Sequence, residues 1–153
     1  MKSSPSSAGG FSNEQALVTR FLSSISDEHR SPWGAVSVGT EFYYMRGRAD
    51  IVATTESGEV LAFEAKLTRW RTALHQAYRN RCFAHRSFVV LPESVASLAS
   101  SWEAEFARRG IGLCFVAGDR VVVLLEPKCD EPLHPWLSDR ATEHASGGSA
   151  PAQ

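Results

Sequence analysis

The segment RGRADIVATTESGEVLAFEAKL, residues 46–67, constrains the fold more than any other stretch of the chain. The stretches 48–53 and 59–67 read as strands on either side of a Gly-bearing turn, joined as a hairpin. In the second strand Leu61, Phe63 and Ala65 share one face, and Glu64 and Lys66 share the other. A carboxylate and an ammonium are thus displayed on a strand whose opposite face is core. A three-residue loop over 56–58, with Gly58 in the left-handed position, sets Asp50 of the first strand directly opposite Glu64. Like charges in that position destabilise a sheet unless water or a cation lies between them. Two converging carboxylates suit Mg²⁺ or Mn²⁺, hard cations that keep waters for chemistry. Lys66 beside such an ion could orient or deprotonate a water, or offset charge on a phosphorane-like transition state.

The remainder of the chain reads as an α/β domain. With 153 residues, of which 43% are hydrophobic and 22% charged, it can bury a core without disulfides or metals as staples. Ser12 and Gln15 carry the spacing of a capping box, and Val18, Phe21, Leu22 and Ile25 follow on one helical face. Strands are expected over 35–45, 48–53 and 59–67, then an amphipathic helix over 70–83. SFVVLP (87–92) reads as a short buried strand, followed by one long helix whose stripe is Val95, Leu98, Ala99, Trp102 and Phe106. That helix closes on Arg108, Arg109 and Gly110, and strands follow over 111–116 and 121–126. Helices alternating with strands after an early hairpin imply a mixed central sheet flanked by helices.

Residues 1–10 are expected as a disordered leader, 11–126 as the folded domain, and 127–153 as a disordered, Pro-rich acidic tail, with at most Trp136 and Leu137 docking back. No apolar run approaches a membrane span, and the N-terminus lacks the apolar region of a secretory signal. Three widely spaced cysteines form no zinc pattern and fit a reducing, cytoplasmic setting.

Asp50, thirteen intervening residues, then Glu64-Ala65-Lys66 resembles the D-x(n)-E-x-K core of the PD-(D/E)xK nuclease superfamily. GRADIVA before the motif and ALHQAYRNRCFAHRSFVVLPE after it look like the hairpin, helix and strand of small, resolvase-like members. The resemblance covers roughly residues 12–92 and implies a restriction-endonuclease-like αβββαβ core. It departs in two places: Ala49 stands where the superfamily's name has Pro, and Asn80 stands where one branch has the Tyr of Q-x-x-x-Y after Gln76. The resemblance implies that Asp50, Glu64 and the Ala65 carbonyl ligate Mg²⁺ (or Mn²⁺), and that Lys66 serves the attacking water. It also implies a role for Glu14, since members often place an acid on the first helix near the metal. Glu14 projects on the inward helical face, a position that equally complements the helix dipole. Taken one at a time, Asp50, Glu64 and Lys66 are explained by a solvated sheet face with a Glu–Lys pair. Together, and in a chain with three lysines against thirteen arginines, they point to a site. Arginine cannot replace lysine near a metal-bound water because it does not readily lose a proton.

The net charge of −1 excludes a generally basic nucleic-acid binder, but the charges are segregated. Residues 65–92 contain no Asp or Glu, and Lys66, Arg69, Arg71, Arg79, Arg81 and Arg86 give them +6. Arg48, Arg69, Arg71, His75, Gln76 and Arg79 are the candidate contacts to a phosphate backbone. Glu41 alternates into a site-facing position, Tyr43 and Tyr44 lie on opposite faces of their strand, and Trp33 and Trp102 are expected in the core. The expected function is Mg²⁺-dependent hydrolysis of phosphodiester bonds in DNA, with a homodimer or partner subunit supplying what so small a domain lacks. The rival from another class is a nucleic-acid-binding or assembly module that keeps the fold and does not cut.

Overall fold

The computed structural model describes residues 10–147, so the expected leader, Gly10 apart, lies outside the described residues. The elements run α1 (Glu14–Ile25), β1 (Val36–Tyr44), β2 (Gly47–Thr55), β3 (Val60–Ala65), α2 (Trp70–Asn80) and β4 (Arg86–Val90), the αβββαβ order. Then follow α3 (Glu93–Ala99), a 3₁₀ turn (Ser100–Trp102), α4 (Glu103–Arg109), β5 (Gly112–Ala117), β6 (Arg120–Leu125) and α5 (Pro135–Ala145). The six strands form one mixed sheet in sequence order, β1-β2-β3-β4-β5-β6. Pairing is antiparallel except for β3–β4 and β4–β5, which are parallel and connected through helices.

Three apolar layers follow from strand alternation. Leu17, Phe21 and Ile25 of α1 pack on Ile51, Ala53, Leu61, Phe63, Phe88 and Val90. The opposite face of β4 and β5, through Val89, Leu91, Leu113 and Phe115, packs on Trp70, Leu74 and Ala77 of α2 and on Phe106 of α4. Beside it, Val52, Val60 and Ala62 meet Phe42, Phe83 and the α5 residues Leu137, Ala141 and Ala145.

The last contact corrects the expected boundary at residue 126. Residues 127–134 are tied down by backbone bonds, Lys128 N to Gly110 O, Asp130 N to His85 O and His134 N to Cys82 O, at 2.9–3.1 Å. They deliver α5 to the sheet, with Pro135 in its first turn. The expected long helix over 95–109 is broken by the 3₁₀ turn. There the Ser100 and Ser101 hydroxyls donate to the Ser97 and Leu98 carbonyls at 2.7 and 2.8 Å, competing with the regular ladder. The break leaves Trp102 45% exposed and not in the core, whereas Trp33 packs half-buried against Phe63 and Phe88. At the first helix the cap is Asn13, one residue beyond the expected Ser12, and its side chain accepts from Ala16 N at 2.8 Å. Among the described residues no helix is long and apolar enough to cross a membrane.

Candidate functional site

Two registers set the site. Ile51 pairs with Phe63 across β2–β3, so Asp50 lies opposite Glu64, as the turn at Gly58 (φ +93°) requires. On the other side Thr40 pairs with Ile51 and Phe42 with Ala49, which puts Glu41 opposite Asp50. Three acidic residues are thereby neighbours in register on β1–β3, with Glu41 lining a cleft on the α1 side and Glu64 lining another. The same register marks a change of face in the β1–β2 ribbon. Val36, Val38, Ile51 and Ala53 pack on the α1 side, but Phe42, Tyr44 and Ala49, of the same alternation, pack with α5. The change falls at Glu41, whose φ of 52° is left-handed.

Asp50 and Glu64 are knitted together by backbone bonds. Ala65 N donates to Asp50 Oδ2 at 2.9 Å, and Asp50 N approaches Glu64 Oε2 at 3.4 Å. Glu64 Oε2 also accepts from Asn80 Nδ2 at 2.8 Å, and Tyr44 donates its phenol to Asn80 Oδ1 at 2.5 Å. Glu64 is 1% exposed. Burial first and the neighbouring Asp50 charge second push its carboxyl from 4.5 up to about 8, against the Asn80 bond, which favours the charged form. Tyr44 is buried with it, and that burial pushes its phenol well above the ordinary value. Asn80 and Tyr44 were not singled out from the sequence. The only signal was an amide at the position where a related motif has Tyr.

The other candidates divide. A cleft of about 200 Å³ is lined by Tyr44, Arg46, Arg48, Asp50, Glu64, Lys66, Gln76 and Arg79. Arg48 Nη2 donates to Asp50 Oδ1 at 3.1 Å, and Tyr43, Asp50 and Glu41 outweigh burial in favouring its charged form. Lys66 extends the β3 ladder through its backbone N to Val90 O, and its Nζ stands 3.8 Å from Glu14 Oε1. Glu14 in turn lines a second cleft on the α1 side with Glu41, Arg48, Asp50 and Ala65. Arg69 lies exposed at the start of α2.

Arg71 and His75 stand apart from the cleft of Asp50 and Glu64 and line a different one, with Trp70, Trp102 and Glu105. An α-helix turns by about 100° per residue, so side chains that read as one broad stripe in sequence face different neighbours. Arg71 sits over the Trp70 and Trp102 rings, 4.2 and 4.6 Å from their centroids. Arg81 and Arg86 are also engaged elsewhere, by Asp130 and Glu59 respectively. Of the basic segment, Lys66 and Arg79 reach the cleft that holds Asp50 and Glu64.

The residues present fit a small divalent cation. The Asp50 and Glu64 carboxyl groups face each other across β2–β3, and Gln76 Oε1 is buried in the same cleft with no hydrogen-bond partner. Among the described residues no three His, Cys, Asp or Glu side chains are grouped to enclose an ion. A ligand set of Asp50 and Glu64 completed by a backbone carbonyl and water is the kind Mg²⁺ accepts, since it dehydrates reluctantly.

No protein-family model and no curated protein sequence matches this chain. Among solved structures, it is similar to the SPO1766 protein of unknown function from Silicibacter pomeroyi. Identity is 16%, the TM-score is 0.63, and the match covers 92% of this chain and 88% of that one. SfsA from Pyrococcus furiosus, solved in complex with Ca²⁺, matches at 10% identity and a TM-score of 0.35, over 76% of this chain and 62% of its own, too distant to carry an argument. The first likeness shows a shared α/β fold, with one six-stranded mixed sheet flanked by helices in the present chain.

Proposed function

We propose that the chain is a metal-dependent nuclease of the PD-(D/E)xK type that hydrolyses phosphodiester bonds in DNA. One observation carries this reading: the Asp50 and Glu64 carboxylates meet across β2–β3, locked by cross-strand bonds, in a cleft that also holds Lys66, Gln76 and Arg79. Asp50 and Glu64 would hold Mg²⁺ or Mn²⁺, which when bound supplies Lewis-acid polarisation of the scissile phosphate. Asn80 fixes Glu64 in one orientation, and its Tyr44 bond fixes Asn80. Lys66 orients the attacking water or offsets negative charge in the transition state, while Arg48 and Arg79 bind phosphate oxygens.

The test is cleavage of linear, nicked, single-stranded and four-way DNA with Mg²⁺ or Mn²⁺. Glu64→Gln and Lys66→Ala are expected to lower the rate by about a hundredfold or more. A wild-type protein that cuts none of these overturns the reading. The pairing of Lys66 with Glu14, in place of an open ammonium, favours a second reading in which the fold binds nucleic acid without cutting it. Under that reading Lys66→Ala leaves binding intact.

A further inference from the structure

The β1–β2 hairpin ends in a two-residue turn, Met45–Arg46, closed by the pair Tyr44–Gly47. Such turns favour Gly, Asn or Asp where φ is positive. Here Met45 occupies that position at φ 47°. Met45 is 64% exposed, and Tyr43 is 68% exposed. Packing explains neither residue, since the hairpin buries Phe42 and Tyr44 and leaves these two in water.

Their position is informative. Tyr43 is the cross-strand partner of Arg48, so the two side chains share a face of the ribbon. Arg48 in turn bonds Asp50, and Arg46, Arg48 and Arg79 all line the cleft of the Asp50–Glu64 pair. Gly47 leaves room for the opposite wall, because a Cβ there would sit 2.8 Å from Arg79 Nη2. An exposed aromatic ring and an exposed thioether thus stand at the tip of a hairpin whose Arg46 and Arg48 line the cleft.

We infer that the hairpin tip is a stacking wedge for an unpaired base, and that the substrate strand is single-stranded where it enters the cleft. The inference rests on the nuclease reading for the destination of the strand, and goes beyond it in naming the substrate's form. Every base has a π-face that Tyr43 and Met45 can cover, and the neighbouring arginines take the phosphates on either side. Apolar side chains that flank arginines at the edge of a groove are also the means by which proteins hold bases apart. A protein partner would ask for a wider apolar patch; here two side chains stand among cations.

The experiment is fluorescence anisotropy in EDTA, so that no cutting intrudes, with a labelled oligodeoxythymidylate and a blunt duplex of the same length. Wild-type protein is expected to prefer the single strand. Tyr43→Ala and Met45→Ala are each expected to weaken single-strand binding about tenfold, the size of one lost base stack, while duplex binding changes little. Tyr43→Phe keeps the ring and is expected to keep the affinity. Leu98→Ala removes an equally exposed side chain from α3, away from the hairpin, and serves as the neutral control. Unchanged circular dichroism shows that the variants fold. Single-strand binding that is insensitive to both alanines, or a preference for duplex, overturns the wedge. The two readings fail separately. A protein that cuts DNA normally with both alanines in place loses only the wedge. One that cuts nothing, yet binds single strands through Tyr43, loses only the nuclease.

Discussion

Glu64 combines nearly full burial with a titration range displaced upward, and both follow from its place in the sheet. In the metal-free protein its carboxyl holds a proton up to about 8, against 4.5 ordinarily. Below 4.5 both folded and unfolded chains are protonated there, and the residue's contribution to stability is whole. Between 4.5 and about 8 the unfolded chain sheds the proton and the folded one does not, so stability falls as pH rises and levels off above that window. Urea denaturation in EDTA at stepped pH is expected to show this decline in the wild type and a flatter profile in Glu64→Gln. Asn80 invites a different variant. Asn80→Ala strips Glu64 of a donor and leaves the buried Tyr44 hydroxyl without its acceptor, an expected cost of about 1–3 kcal/mol by the same denaturation measurement. The Asp50–Glu64 opposition was legible in sequence because a short turn fixes register and register fixes which side chains meet. The Tyr44–Asn80 link was not, because it joins residues 36 positions apart on a strand and a helix whose contact only packing decides.

At the scale of elements, the β1–β2 ribbon departs furthest from simple alternation. The left-handed residues Glu41 and Met45 bracket the stretch where Phe42 and Tyr44 turn toward α5. Alternation read from the sequence assumes extended backbone throughout, so it placed Tyr43 and Tyr44 on opposite faces correctly but could not foresee the change of face at Glu41. Met45→Asn puts a residue that tolerates left-handed backbone at the turn, and is expected to raise stability by about 0.5–1 kcal/mol in equilibrium denaturation. A loss of stability would mean that the methionine packs in solution. Over residues 65–92 the sequence conveyed one basic segment, which the structure distributes among a carboxylate cleft, a pair of indoles and two structural ion pairs. Composition locates charge along a chain, whereas the helix's rotation decides what each charge meets.

Over the whole molecule, the sheet was legible and its last cover was not. Leu137, Ala141 and Ala145 recur at a spacing of four, but two of the three are alanines, and they follow a run of prolines and acids that reads as tail. The structure closes the back of β1–β3 with that helix. Leu137→Ala is expected to cost about 2–5 kcal/mol in denaturant titrations.

The sequential strand order has a kinetic consequence. Each strand pairs with the one made just before it, so the sheet can zip up from neighbours, the antiparallel pairs through short turns and the parallel pairs through helical crossovers. The docking of α5 on β1 is different in kind: the bond between His144 Nε2 and the Thr40 carbonyl, 2.6 Å long, spans 104 residues. Contacts that close so long a loop belong late in folding, after the rate-limiting barrier. In stopped-flow chevrons Leu137→Ala should therefore speed unfolding and leave the refolding limb nearly unmoved; a slowed refolding limb would instead place α5 in the nucleus. Thr40 adjoins Glu41, so the backbone beside the acidic residues of β1–β3 is fastened from behind by the contact expected to form last.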